Sequence, residues 1–450
     1  MKALRGGARP LLSLLLVLLS AASAAAEPKA RLTAMPSGAD AAEKPKQKPK
    51  AKPLKPKAKP PGKPFGLVLA RHLDQAIGID AQSAALEAQR RAVAARYAQA
   101  NSFTPRSPFF GGSRQERVKG NVQGYRESEL EIGMPIWLPG EREAYELNVT
   151  AGVAELDERL ALRRLDVAAL VRDAWWTAQR TAKDAAVARD RLATARDIGN
   201  DMKRRVELGE NAAQDELLAR NETLAAETEV AQTDAAAKAA RAAYEVLTGG
   251  ATPDGTLEAP LPARPPEDHP ALRAPLAAVA RSQTQKLLVE TGFIDNPEIS
   301  VFGRNEQGTD PAVEDPIRSH NNTVGVRFRI PLPTPGRNIP RLAEAQAEVD
   351  RANAEYNRAQ RLVAAEINAA RAAVAAARRA DGIAAKRLSV ANEQFDLARR
   401  SFRLGEINAF DLYRVRQLQL DAQRARASAA TDLGVALSRL NQAFGYAPTL

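Results

Sequence analysis

The sequence of 450 residues has no cysteine, only three histidines and 5% aromatic residues. The absence of cysteine excludes disulfides, thiolate metal ligands, a cysteine nucleophile and a lipid attached to an N-terminal cysteine. His72, His269 and His320 lie far apart, which disfavours a histidine-based metal centre. Since no nucleophile–base pair or ligand cluster is recognisable, the sequence predicts neither an enzyme nor a bound metal or cofactor. The alanine-rich, aromatic-poor composition favours long helices that pack closely through small side chains.

The excess of positive charge is confined to the N-terminal region. The chain has 65 Lys+Arg and 54 Asp+Glu. Residues 1–64 hold fourteen of the basic and three of the acidic residues, which leaves 51 of each sign in residues 65–450. A main body with zero net charge is not expected to bind a polyanion, so the sequence predicts no nucleic-acid partner.

Residues 1–26 have the composition of a secretory signal peptide. Basic residues precede an apolar run from Leu11 to Leu19, and small residues near 22–26 offer a cleavage site. Residues 27–64 are rich in lysine and proline. Because proline removes backbone donors and lysines repel one another, this segment is predicted to be a disordered periplasmic extension. Its composition favours a solvated spacer, and attraction to an anionic partner such as a cell-wall polymer is the alternative.

The rest of the chain is an internal duplication with a single offset of 196 residues. The aligned positions are turn prolines and glycines and the residues beside them: Pro135 with Pro331, Pro139-Gly140 with Pro335-Gly336, and Leu208-Gly209-Glu210 with Leu404-Gly405-Glu406. A chance alignment would not keep one offset over such a length. The sequence therefore predicts two repeats of one structural unit, residues 65–260 and 261–450.

Each repeat is predicted to contain a helix, two short strands, a long helix, a break and a last helix. In the first repeat the first helix is predicted at 65–100, the strands at 101–111 and 121–136, and the long helix at 141–198. Breaks near Gly199 and Gly209 precede the last helix, which ends near residue 247. In the second repeat the first helix is predicted at 270–292, the strands at 298–305 and 321–332, the long helix at 341–398 and the last helix at 408–443. The long helix would travel roughly 87 Å at about 1.5 Å per residue, and the later helices nearly match that length on the return. The strands should therefore gather at one end and the Leu-Gly-Glu turns at the other.

Apolar and polar side chains alternate along the predicted strands. Leu130, Ile132 and Met134 alternate with glutamates, and Val324, Val326, Phe328 and Ile330 alternate with Gly325 and arginines. This alternation is typical of membrane β-barrel strands, although an amphipathic sheet on a soluble core would also show it. Four strands cannot close a barrel, which needs about eight, and open sheet edges are not tolerated in lipid. If the strands enter a membrane, several chains must combine them.

Together these features resemble the TolC family of outer-membrane channels, over about residues 65–445. The resemblance rests on the duplicated unit, on the strand exits Pro135 to Gly140 and Pro331 to Gly336, and on two turns whose glycine is followed six residues later by aspartate. It implies a mainly α chain with a small β part, three copies of which form a helical tunnel (α-barrel) and share a twelve-stranded outer-membrane β-barrel. The second turn, RLGEINAFDLYRVRQLQLDA, is most similar to the CzcC-like heavy-metal efflux branch.

The resemblance also implies a location and partners. It predicts an outer-membrane protein with a large periplasmic portion, a homotrimer that works as the passive conduit of a tripartite efflux pump or of type I secretion. The implied partners are a periplasmic adaptor (membrane fusion) protein, an inner-membrane pump, for which the RND type is one candidate, and outer-membrane lipid. The alternative is a non-channel periplasmic coiled-coil scaffold or adaptor, and the duplicated amphipathic strand pairs favour the channel. Metal ions, drugs and peptides all stay open as substrates, since a water-filled conduit imposes few specific contacts.

Three groups of candidate site residues follow. The family implies that the turns contact the adaptor: Leu208, Gly209, Glu210, Leu404, Gly405 and Glu406. It places Asp215 and Asp411 at the periplasmic aperture, with Arg414 beside them either pairing with Asp411 or partly cancelling the acidic charge; helix N-termini alone would also favour these acids. Charged strand residues are predicted to line the barrel lumen, because charge facing lipid is costly: Glu127, Glu129, Glu131, Arg327 and Arg329.

Overall fold

The computed structural model describes residues 67–116, 123–253, 259–309 and 318–448. The predicted signal peptide and the Lys/Pro-rich extension lie outside these residues. The described chain is mainly helical with a small β part, as predicted, and none of its helices has the length and apolar composition needed to cross a membrane. In chain order the elements are α1 (Leu67–Ile79), α2 (Ala81–Ala94), α3 (Tyr97–Ala100), β1 (Phe109–Glu116), β2 (Gln123–Pro135), α4 (Glu141–Glu207), α5 (Ala213–Thr248), a 3₁₀ turn (Pro266–Asp268), α6 (Pro270–Thr291), β3 (Glu298–Thr309), β4 (Arg318–Arg329), α7 (Pro335–Arg403) and α8 (Ala409–Ala443).

Equivalent helices of the two repeats have boundaries at the predicted offset. α4 ends at Glu207 and α7 at Arg403, while α5 begins at Ala213 and α8 at Ala409, each pair 196 residues apart. α4 has 67 residues and α7 has 69, so each is about 100 Å long at about 1.5 Å per residue. Each long helix packs against the helix that follows it. The main body therefore consists of two long helical hairpins, α4–α5 and α7–α8.

The N-terminal helical segment is broken where the sequence predicts one helix over 65–100. Asp80 lies between α1 and α2, and its carboxylate accepts hydrogen bonds from the backbone N–H and the hydroxyl of Ser83 at 2.8 and 2.7 Å. This contact caps α2. Arg163 of α4 donates two further hydrogen bonds to Asp80, at 2.7 and 2.9 Å, and holds the pKa of that carboxyl well below its usual range. Asp80 therefore starts a new helix and ties it to α4.

Two other predicted boundaries are wrong by eight residues or more, and the second long helix, predicted at 341–398, extends five to six residues farther at each end. β1 begins at Phe109 rather than 101, because residues 101–108 form turns that include Pro105 and Pro108. The predicted break near Gly199 does not interrupt α4, which continues as a helix to Glu207. One glycine costs about 1 kcal/mol in a helix interior, and the packing of α4 against α5, which includes Thr223 beside Gly199, offsets this cost.

The strands of both repeats form one antiparallel sheet in the order β1-β2-β3-β4. β2 of the first repeat pairs with β3 of the second, with Leu130 opposite Gly303 and Pro135 opposite Glu298. In the described sheet, β1 and β4 are the outer strands and each has a single neighbour. The prediction that the strands gather in one place is confirmed, and the sheet retains two open edges.

The turn ends of the two hairpins pack together at a second location. Met202 of α4 is fully buried in a cluster with Phe395 and Phe402 of α7 and Leu412 of α8. The Arg205 guanidinium lies 4.7 Å from the centroid of the Phe402 ring. These contacts join the ends of both hairpins, so the two turns lie at the same end of the helical body, as predicted.

A tryptophan fixes the two repeats against each other farther from the turns. Trp176 of α4 lies against Gly434 of α8, where an added Cβ would come within 2.0 Å of the ring. The Trp176 indole N–H donates a hydrogen bond to the Ser438 hydroxyl at 2.8 Å. Because a larger residue at position 434 would displace the ring, glycine is required for this close approach.

Candidate functional site

One face of the sheet is apolar and exposed. Successive side chains of a strand point to opposite faces, so the strand register assigns each residue to one face. Val324 is 72% and Phe328 66% exposed, although both are large apolar residues. The exposed apolar side chains of this face are Phe110, Leu130, Ile132, Val301, Val324, Val326 and Phe328. A contiguous exposed apolar patch on a protein indicates contact with a membrane or another protein.

The opposite face carries a network of ion pairs that crosses the two repeats. Arg327 of β4 lies 2.6 Å from Glu129 and 2.9 Å from Glu131 of β2. Arg304 of β3 lies 2.9 Å from both Glu127 and Glu129. Glu129, at the centre of this network, is only 8% exposed. These charges neutralise one another on one face, and on the opposite face Arg126 and Glu116 form a separate ion pair at the far ends of β1 and β2.

The five predicted lumen residues share this charged face, and Arg329 joins it through an ion pair with Glu298 at 3.2 Å. Arg304 is a member that the sequence prediction misses. Its signal is present in β3, where Glu298, Arg304 and Glu306 alternate with Ile299 and Val301. Reading that alternation in β3 as well as in β2 and β4 would have found it.

The two turns between the hairpin helices have the same backbone geometry. Gly209 and Gly405 have φ values of 77° and 76°. In the first turn, the N–H of Gly209 donates to the carbonyl of Val206 at 3.0 Å, and the N–H of Glu210 donates to the carbonyl of Arg205 at 2.8 Å. The same two bonds recur in the second turn, 196 residues later. This is a Schellman motif, which places glycine at the left-handed position. The geometry of the turn therefore explains each glycine without a further role.

The residues beside each glycine are presented at the surface. Leu208 is 72% and Leu404 74% exposed. Glu210 and Glu406 are also exposed. Each turn thus offers one leucine and one carboxylate, at equivalent positions and at the same end of the helical body. Such a surface is suited to contact with another protein.

The predicted aperture residues lie in the first helical turns after these loops. Asp215 of α5 accepts a hydrogen bond from the Asn211 amide at 3.0 Å, and the N–H of Asp411 in α8 donates to the Asn408 side chain at 2.8 Å. Arg414 is exposed and belongs to none of the ion pairs of the described chain. No group of three or more histidine, aspartate or glutamate side chains in the described residues is arranged to hold a metal ion. Asp215 and Asp411 stay predicted aperture residues, because an aperture would form only when several copies of the chain assemble.

Comparison with known proteins adds sequence relatives. Residues 266–446 match the outer membrane efflux protein family. The cobalt-zinc-cadmium resistance protein CzcC of Cupriavidus metallidurans is 30% identical over 271 residues, which cover 55% of this chain and 62% of CzcC. The chain therefore matches about three fifths of the length of this curated relative. The matched family segment is the second repeat.

Solved structures share the fold. A membrane protein from Pseudomonas aeruginosa superposes with a TM-score of 0.68 at 19% identity, over 85% of this chain and 91% of that one. The outer membrane protein VceC of Vibrio cholerae superposes with a TM-score of 0.65 at 15% identity, over 84% and 96%. At such identities the likeness concerns the fold alone. The family match and the similarity to CzcC confirm the resemblance that the sequence shows, and the solved structures confirm the fold.

Proposed function

We propose that this chain is the outer-membrane component of a tripartite efflux pump, in which three copies form a passive conduit from the periplasm to the exterior. The observation that carries the proposal is the small sheet, with its exposed apolar face, its ion-paired opposite face and its two open edges. An apolar face suits lipid, and a charged face suits a water-filled lumen. The chain's match to the outer membrane efflux protein family agrees with this assignment.

Assembly of several copies follows from the open edges. The four strands are too few for a closed barrel, which needs about eight, and unpaired strand edges are costly in lipid. Pairing β4 of one copy with β1 of the next would remove every open edge. Three copies would give a twelve-stranded β-barrel, the number that the resemblance to the TolC family implies. The long hairpins of three copies would form the helical tunnel below it.

The turns would then face the partners. Hairpins about 100 Å long, at about 1.5 Å per residue, extend from the sheet towards the end that exposes Leu208 and Leu404. A periplasmic adaptor is proposed to dock on these turns and to connect the conduit to an inner-membrane pump, for which the RND type is one candidate. The conduit itself performs no chemistry. CzcC is a cobalt-zinc-cadmium resistance protein by name, so divalent metal cations are the first substrate class to test.

Fractionation of cells that produce the full chain tests the proposal. We expect an oligomer in the outer-membrane fraction that is stable in detergent and converts to monomer on heating, because the shared sheet would hold the copies together. Deletion of the gene should lower cellular tolerance to cobalt, zinc or cadmium if metals are the substrate. A soluble periplasmic monomer would contradict the proposal and would favour the scaffold or adaptor alternative.

A further inference from the structure

A polar cavity lies between the two hairpins, beside the apolar cluster of the turn end. Its volume is about 210 Å³. Its polar lining comes from both repeats: Arg191 and Thr194 of α4, Glu222 of α5, and Tyr413, Arg416 and Gln417 of α8. Arg416 follows Gly405 by eleven residues, which places it roughly 16 Å along the helical body from the second turn. None of the functions proposed above uses this cavity.

Arg416 is a buried cation without an anionic partner in the described chain. Arg416 is only 9% exposed. One terminal nitrogen donates to the Gln419 amide oxygen and the other donates to the Thr194 hydroxyl at 2.7 Å, and both acceptors are neutral. The guanidinium also stacks 5.0 Å from the centroid of the Phe395 ring. Burial lowers the pKa of Arg416, and the charge of Asp190, which acts in the opposite direction without forming an ion pair, only partly offsets this effect.

Three buried donor groups at this cavity have no hydrogen-bond partner in the described chain: the Nε atoms of Arg191 and Arg416 and the hydroxyl of Tyr413. Burial raises the pKa of Tyr413 to about 12, so the phenol stays protonated and able to donate. Glu222 is the one carboxylate among the lining residues, and it is already bound by Arg191 at 2.5 Å. Buried donors of this kind normally have partners.

We propose that this cavity binds a small oxyanion, of the phosphate, sulfate or carboxylate class. Such an anion would neutralise Arg416 and accept the unused hydrogen bonds of Arg191 and Tyr413. The cavity volume exceeds the roughly 30 Å³ that one water molecule occupies in the liquid several-fold, so it has room for an oxyanion. Because the lining residues belong to α4 and α5 on one side and α8 on the other, the bound anion would join the first repeat to the second.

Binding can be measured on the purified full chain with inorganic phosphate as the probe. We expect phosphate to raise the melting temperature in a saturable way relative to chloride at equal ionic strength. Sulfate and acetate in place of phosphate then rank the members of the class. All lining residues belong to one chain, so the result is independent of whether the chain forms a channel. A cavity filled by water alone would give the same melting temperature in phosphate and chloride, which would overturn the proposal.

Three variants locate the site. Arg416→Gln should abolish the phosphate effect, and Tyr413→Phe should weaken phosphate affinity about tenfold, as expected for one lost hydrogen bond to an anion. Tyr413→Phe keeps the ring and removes only an unpartnered hydroxyl, so it tests the site even if Arg416→Gln does not fold. Arg220→Gln, with the same charge change at an exposed position of α5 outside the cavity lining, should bind phosphate like the unmodified chain. Unchanged affinity in Tyr413→Phe, or equal losses in Arg416→Gln and Arg220→Gln, would contradict the assignment.

Discussion

The sheet and the turns both expose apolar side chains, but they do so in different ways. At the sheet, one face exposes seven apolar side chains, and the network of Arg304, Arg327 and the glutamates of β2 lies on the other face. At the turns, Leu208 and Leu404 are exposed singly, beside Glu210 and Glu406. A continuous apolar face is suited to an apolar solvent such as lipid. Single leucines within a charged surface are suited to a specific protein partner.

The residues that lie behind these two surfaces also differ in polarity. Behind the apolar sheet face lies an ion-paired network of arginines and glutamates, in which Glu129 accepts from two arginines. Behind the turns lies an apolar cluster that includes Met202, Phe402 and Leu412. The sheet therefore has one charged and one apolar face, whereas the turn end has an apolar interior beneath its exposed residues. The two ends have the polarity expected if one faces lipid and the other faces water.

The largest expected effect comes from placing a charge on the apolar sheet face. Val326→Arg should abolish assembly in the outer membrane, since an arginine facing lipid at mid-depth costs roughly 2–4 kcal/mol per copy. Thr323→Arg provides the matched control, because the register places Thr323 on the charged face of the same strand. The amount of heat-modifiable oligomer in membrane fractions is the readout. Equal assembly of the two variants would remove the distinction between the faces.

A smaller effect is expected from bulky residues in the turns. Gly209→Leu with Gly405→Leu should stop export while the oligomer stays in the membrane, since the substitutions alter the proposed adaptor-docking surface. Each also imposes backbone strain of about 1–2 kcal/mol, because the residue must adopt positive φ. Gly140→Leu separates the two effects: Gly140 has a φ of 78°, and no described atom lies within 4 Å of an added Cβ there, as at both turn glycines. If Gly140→Leu blocks export as strongly, strain and not docking explains the loss.

The smallest effect is expected at the aperture acids. Three copies of Asp215 and Asp411 would place six carboxylates around a narrow mouth, where repulsion between like charges is relieved by bound cations. Asp215→Asn with Asp411→Asn should therefore reduce block by divalent cations in single-channel recordings. We expect the positive charge of Arg414 to limit this block in the unmodified chain. Glu355→Gln, an exposed acid on α7, is the control, and unchanged block in the double variant would leave the two aspartates only a role at the helix N-termini.

Much of the fold could be predicted because its signals are local and occur twice. Gly209 and Gly405 fix the turns since the left-handed conformation favours glycine, and the common offset identified both at once. The strand alternation assigned Glu127, Glu129, Glu131, Arg327 and Arg329 to one face for the same reason. These features depend on a few neighbouring residues and not on distant parts of the chain.

The errors arose where distant residues decide the local structure. The break at Asp80 is stabilised by Arg163, which lies 83 residues later, and helix α4 passes through Gly199 because α5 packs along it. The contacts of Arg304 required the register between strands of different repeats. The cavity beside Arg416 was not predictable for the same reason, since α4, α5 and α8 all contribute to it.

Labelling of single cysteines on adjacent residues of β4 tests the central claim most directly. The chain has no cysteine, so each introduced thiol is unique. When outer membranes that contain the assembled protein are treated with a charged, membrane-impermeant thiol reagent, Asn321→Cys and Thr323→Cys should react, because the charged face would line water. Val324→Cys and Val326→Cys should stay unlabelled, because lipid would cover them. Equal labelling of both sets, or labelling of the valine positions alone, would contradict the assignment of one sheet face to lipid and the other to a lumen.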